Sequence, residues 1–121
     1  MEITTVIDNN KEIAVINSDE VLISDVQSAL DLIATVRYET GCNHFVLKKE
    51  AICEAFFDLK TKLAGDILQK FINYYVKVAI VGDFSGYTSK SLRDFIYECN
   101  HGKDIFFVTD QKQAIDKLAQ S

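Results

Sequence analysis

Three short apolar runs constrain this chain more than any other feature. Val76–Val81 is nearly all apolar and β-branched, His44–Leu47 is a second run of four residues, and Asp104–Val108 closes on a third. A strand wetted on one face alternates apolar with polar residues, whereas a strand covered on both faces reads as a continuous run. These runs are too short for helices and alternate with segments of helical period. They predict buried strands of a mainly parallel sheet with helices packed on it.

The remaining elements fall between and around the runs. Ile3–Ile7 and Glu12–Asn17 flank Asp8-Asn9-Asn10-Lys11, a hairpin signal because Asn tolerates the left-handed backbone of a tight turn. Ser24–Thr40 sets Val26, Leu30, Ile33, Val36 and Arg37 near the period of 3.6, with Ser24 or Asp25 as N-cap and Gly41 past the end. Lys48–Asp58 reads as a loop or short helical turn. Lys60–Tyr75 predicts a second long helix along Leu63, Ile67, Phe71 and Tyr74. Ser89–Asn100 predicts a third, with Leu92, Phe95, Ile96 and Cys99 inward, and Thr109 or Asp110 caps a last one carrying Ala114, Ile115 and Leu118. The order is a β-hairpin followed by alternating α and β. It predicts an α/β sandwich over residues 1–121, one domain with a mainly parallel sheet of about five strands.

Composition excludes several function classes. Thirteen Lys and Arg against eighteen Asp and Glu leave a net charge of -5, the wrong sign for counterion-driven binding to a phosphate backbone, so nucleic acid is not an expected partner. Three cysteines without a CxxC pair do not form a disulfide framework, and a reducing cytoplasm is the expected compartment. MEITTVIDNN lacks the basic start and apolar core of a signal peptide, and no segment reaches the ~20 apolar residues of a membrane span. No membrane association is expected.

Several groups invite a chemical reading. Cys42-Asn43-His44 and Cys99-Asn100-His101 share C-x-H spacing, but a tetrahedral zinc site needs four ligands in tighter pairs, so no metal or other cofactor is expected. Cys53 and Cys99 read as small buried apolar residues. Glu50, Glu54 and Asp58, four apart, would share a face if their segment were helical, where a solvated acidic surface is the common outcome. Phe56 and Phe57 read as anchors to the sheet. The strand exit Val81-Gly82-Asp83-Phe84-Ser85-Gly86-Tyr87-Thr88-Ser89 leads into a helix N-terminus, where parallel sheets place ligands. It carries no nucleotide fingerprint. A ligand site there would use Asp83, Ser85, Ser89 and Arg93, while the structural alternative has Ser89 capping the helix and Gly82 and Gly86 permitting the turn. The aromatic density of Phe56, Phe57, Tyr74 and Tyr75 raises the expectation of a homodimer through a surface including one of them.

The runs His44-Phe45-Val46-Leu47, Thr61-Lys62-Leu63-Ala64 and Asp104-Ile105-Phe106-Phe107-Val108-Thr109-Asp110 through Ala114-Ile115, with the order of elements, resemble the STAS domain of anti-sigma-factor antagonists and sulfate-transporter tails. Nearly the whole chain, including Asp25-Val26-Gln27, Phe56-Phe57-Asp58-Leu59-Lys60-Thr61 and Val81-Gly82-Asp83-Phe84, more closely resembles an uncharacterised bacterial family, domain of unknown function 4180. The STAS resemblance implies a cytoplasmic regulatory module that binds a protein partner at the start of its second helix, here Lys60, Thr61 and Lys62. STAS antagonists carry a phosphorylatable Ser there, followed by Ser-Gly or Thr-Gly. This chain has Lys60 at the Ser and Lys62 at the Gly, with Thr61 the only nearby hydroxyl. No catalytic residue is singled out. The alternative is a small-ligand-binding protein or weak enzyme using the Gly82–Ser89 loop.

Overall fold

A computed structural model describes residues 1–121. The strands β1 (Glu2–Asp8), β2 (Lys11–Asn17), β3 (His44–Lys48), β4 (Lys77–Val81) and β5 (Ile105–Val108) lie in that order across one sheet. The helices are α1 (Val26–Thr40), α2 (Leu63–Asn73), α3 (Lys90–Asn100) and α4 (Gln111–Ala119). β1 and β2 are antiparallel, and β2 through β5 are parallel. The expected α/β class, hairpin and mainly parallel sheet are all present.

The hairpin forms because Asn9 and Asn10 both take left-handed φ, 52° and 63°, the turn whose twist matches the flanking strands. Right-handed crossovers that always step to the next strand in the same direction put every crossover helix on one face. Accordingly Ala14, Ile16, Phe45, Leu47, Val78, Ile80, Ile105 and Phe107 pack against α1, α2 and α3. The alternate residues Ile13, Val15, Val46, Ala79, Phe106 and Val108 meet α4 alone. No polar or charged residue is buried.

Helix boundaries follow their local bonds. Asp25 caps α1, accepting from the Ser28 N–H at 2.7 Å while the Ser28 hydroxyl accepts from the Asp25 N–H, and Gly41 ends it at φ 70°. Its inward face is Ala29, Leu32, Ile33 and Val36, so Leu30 and Arg37 of the periodic reading sit at its margin. The expected helix 60–75 is shorter at both ends. Lys60 and Thr61 belong to a separate 3₁₀ turn, Leu59–Thr61, after which Lys62 turns left-handed at φ 63° and α2 begins. At the other end Tyr75 is left-handed at φ 60°, with its N–H on the Ile72 carbonyl and the Val76 N–H on the Phe71 carbonyl. That is the helix-ending geometry in which glycine is usual.

Candidate functional site

The parallel strands deliver two segments to their carboxyl ends. β3 runs into three 3₁₀ turns, Lys49–Ala51, Glu54–Phe57 and Leu59–Thr61, tied back to the chain before α1 by bonds such as Cys53 N–H to the Ile23 carbonyl at 2.9 Å. β4 runs into the loop 82–89. Between them lies an open cleft of about 320 Å³, lined by Glu54, Phe57, Asp58, Leu59, Gly86, Tyr87, Thr88 and Ser89. The segment after β3 and the end of the strand-exit loop thus face each other across one depression, and of the site residues nominated from the sequence only Ser89 lines it, not Asp83, Ser85 or Lys60–Lys62.

An aromatic floor holds the two sides together. Phe57 stacks on Tyr87 at 5.4 Å between centroids and touches Phe56 and Phe84, and Phe84 meets Phe107 of β5 edge-on. Lys49 lies with its ammonium 5.1 Å from the Tyr87 ring centre and 5.6 Å from that of Phe57, a cation over two aromatic faces. The Tyr87 hydroxyl donates to Glu54 Oε1 at 2.8 Å. The Tyr87 hydroxyl, then the Glu54 and Glu50 carboxylates, hold the Lys49 ammonium above the usual lysine range against the opposing effect of burial. Burial, then the bond to Glu54, pushes the Tyr87 hydroxyl up. Gly82 makes this possible, because a Cβ there would fall 2.6 Å from Lys49 Cβ.

The residues nominated from sequence divide by what they already bond. The Asp83 carboxylate accepts from the Ser85 hydroxyl at 2.6 Å and from its N–H at 2.9 Å, which holds its carboxyl below the ordinary range, and Lys49 adds to this. Ser89 lines the cleft while capping α3 through the Leu92 N–H. Arg93 is exposed on α3 and does not line the cleft. The Thr61 hydroxyl donates within reach of the Asp58 and Ala55 carbonyls, at 2.8 and 3.0 Å, and accepts from the Leu63 N–H. Lys60 and Lys62 are exposed and form no ion pair.

Other groups resolve differently. Phe56 and Phe57 are core, as their reading as anchors expected, whereas Tyr74 and Tyr75 stay exposed at 47% and 87%. Glu50, Glu54 and Asp58 do not form one face, because the segment breaks into separate 3₁₀ turns. Glu54 holds Tyr87, and Asp58 caps the Lys60 N–H. No three His, Cys, Asp or Glu side chains converge on a point that would hold a metal. Burial, with Glu98 nearby, pushes the Cys99 thiol up to about 11, so it stays protonated and poorly nucleophilic. The Lys49–Tyr87–Glu54 group was missed in the sequence because its members are scattered. The one local signal was Gly82 at a strand exit, which marks a close approach.

No helix is long and apolar enough to cross a membrane. The architecture and cleft define an α/β protein with a mixed, mostly parallel sheet and a polar-rimmed depression at the strands' carboxyl ends. The chain belongs to the family described as Domain of unknown function (DUF4180), which matches residues 8–118. No curated protein matches it.

Proposed function

We propose that this chain is a STAS-like regulatory module of the cytoplasm that works by binding an acidic segment of a protein partner at Lys60, Thr61 and Lys62. One observation carries the reading: α2 opens on a left-handed Lys62 whose own side chain caps nothing, only the first N–H, that of Leu63, is taken by the Thr61 hydroxyl, and Lys60 and Lys62 are both exposed and unpaired. A helix N-terminus carries a partial positive charge, and two ammonium groups beside it make a local cationic spot on a chain of net charge -5. The Thr61 hydroxyl is engaged with the backbone on both sides, which favours docking over a phosphorylation switch. The hairpin followed by alternating elements supports the likeness to STAS domains. Lys60→Glu combined with Lys62→Glu should abolish recovery of the partner in affinity purification while leaving circular dichroism and melting unchanged. Equal recovery by this double variant would remove the edge from consideration.

A second reading rests on the cleft between Glu54–Leu59 and Gly86–Ser89, which supports binding of a small ligand with Ser89 as a contact. Native mass spectrometry of the purified chain separates the two, since a retained small molecule favours the cleft and a copurifying protein the lysine edge.

A further inference from the structure

The free edge of β1 carries an interaction surface of its own. β1 pairs only with β2, in a one-to-one register from Glu2 opposite Asn17 to Asp8 opposite Lys11. Across a two-residue turn the flanking residues, Asp8 and Lys11, exchange both backbone bonds, and the pattern alternates from there. Val6 and Thr4 therefore bond to β2, while the N–H and C=O of Ile3, Thr5 and Ile7 point away from the sheet. Exposed edges are ordinarily guarded by Lys, Pro, a bulge or short length. Ile3–Ile7 reads Ile-Thr-Thr-Val-Ile, without charge, proline or bulge, within a seven-residue strand, and the opposite edge β5 has only four. Ile7, paired across the strands with the exposed Glu12, is 69% exposed.

We propose that β1 is a self-pairing edge, on which a second copy of this chain lays its own β1 antiparallel about a twofold axis through Thr5. In that register Ile3 faces Ile7 of the second copy and Thr5 faces Thr5, so all three outward residues meet outward residues and their backbone groups are satisfied. It also covers Ile7, which the monomer leaves wet. Registers centred on Thr4 or Val6 pair fewer of the outward residues within the strand. The same alignment sets Glu2 against Asp8 of the second copy at both ends, and like charges directly opposed weaken a strand pair. One strand per copy also gives a small contact, below the ~1,200 Å² of stable complexes. The dimer is accordingly reversible and concentration-dependent, and it leaves Lys60–Lys62 free.

Sedimentation equilibrium of the full chain over a hundredfold concentration range tests this. The mass should rise from that of the monomer toward twice its value. Glu2→Lys replaces two repulsions with two attractions and should tighten association by about tenfold at low salt. Thr5→Pro removes an outward N–H without touching the β1–β2 ladder and should abolish association. Thr5→Lys, which keeps the N–H but opposes two ammonium groups at the axis, should do the same with unchanged circular dichroism. A wild-type mass that stays monomeric throughout overturns the proposal. So does undiminished association of both Thr5 variants, which would move the contact to the exposed Tyr74–Tyr75 turn, and a Glu2→Lys variant that associates no more tightly overturns the register.

Discussion

His44 shows how a single side chain writes a pH dependence into the fold. It opens β3 opposite Lys77, and its Nε2 is shielded from water without a hydrogen-bond partner. Burial first, then Lys11 and Lys77, hold its pKa below the ordinary 6.5. The unfolded chain therefore takes up a proton that the folded chain resists. The His44 contribution is complete above the unfolded value and is lost as the pH falls from there toward the folded one. Asp25 and Asp83, depressed from 3.8, lose theirs only below that value, so the windows are distinct. His44→Gln should flatten the change in urea stability between about pH 7.5 and about pH 5 relative to wild type. An unaltered slope would mean that His44 protonates freely in the folded state. The sequence shows His44 only as the first residue of an apolar run. That Lys11 and Lys77 flank it depends on strand register, which no local pattern encodes.

At the scale of elements, legibility follows how local the causes are. The Asn9-Asn10 hairpin, the Asp25, Ser89 and Asp110 caps and the Gly41 stop were readable because each rests on bonds within four residues. The start of α2 was not. It is set by the closed turn of Asp58, Lys60 and Thr61 and by left-handed backbone at a lysine, and Tyr75 likewise stands where glycine would have announced the end. The inward face of α1 was half read, since apolar residues nearly encircle it and the strands beneath decide which are covered. At the candidate site the loop 82–89 and the segment 48–58 were legible separately, but their meeting was not. Gly82→Ala tests the contact that joins them: forcing a methyl against Lys49 Cβ should cost about 1–3 kcal/mol in thermal or urea unfolding. In a Lys49→Gly background that cost should largely vanish, and a cost that persists there would place its origin elsewhere.

For the molecule as a whole, the apolar runs specify a sheet covered on both faces, and the structure places β4 inside it between β3 and β5. Ile80 is 1% exposed under the helices α1–α3. Ile80→Asp would bury an unpaired carboxylate at a cost of several kcal/mol against a total stability of about 5–15 kcal/mol, and should unfold the chain or nearly so. Unchanged melting would contradict the covered position of β4. The strictly sequential strand order has a consequence for how the molecule is made. Every strand pairs with its immediate predecessor, so a sheet built outward from the hairpin would need at each step only the closure of the intervening crossover, at a modest loop-closure entropy. A ribosome delivering the chain from its N-terminus supplies the strands in the order in which the growing edge accepts them, and with no proline in the sequence no prolyl isomerisation delays the next addition.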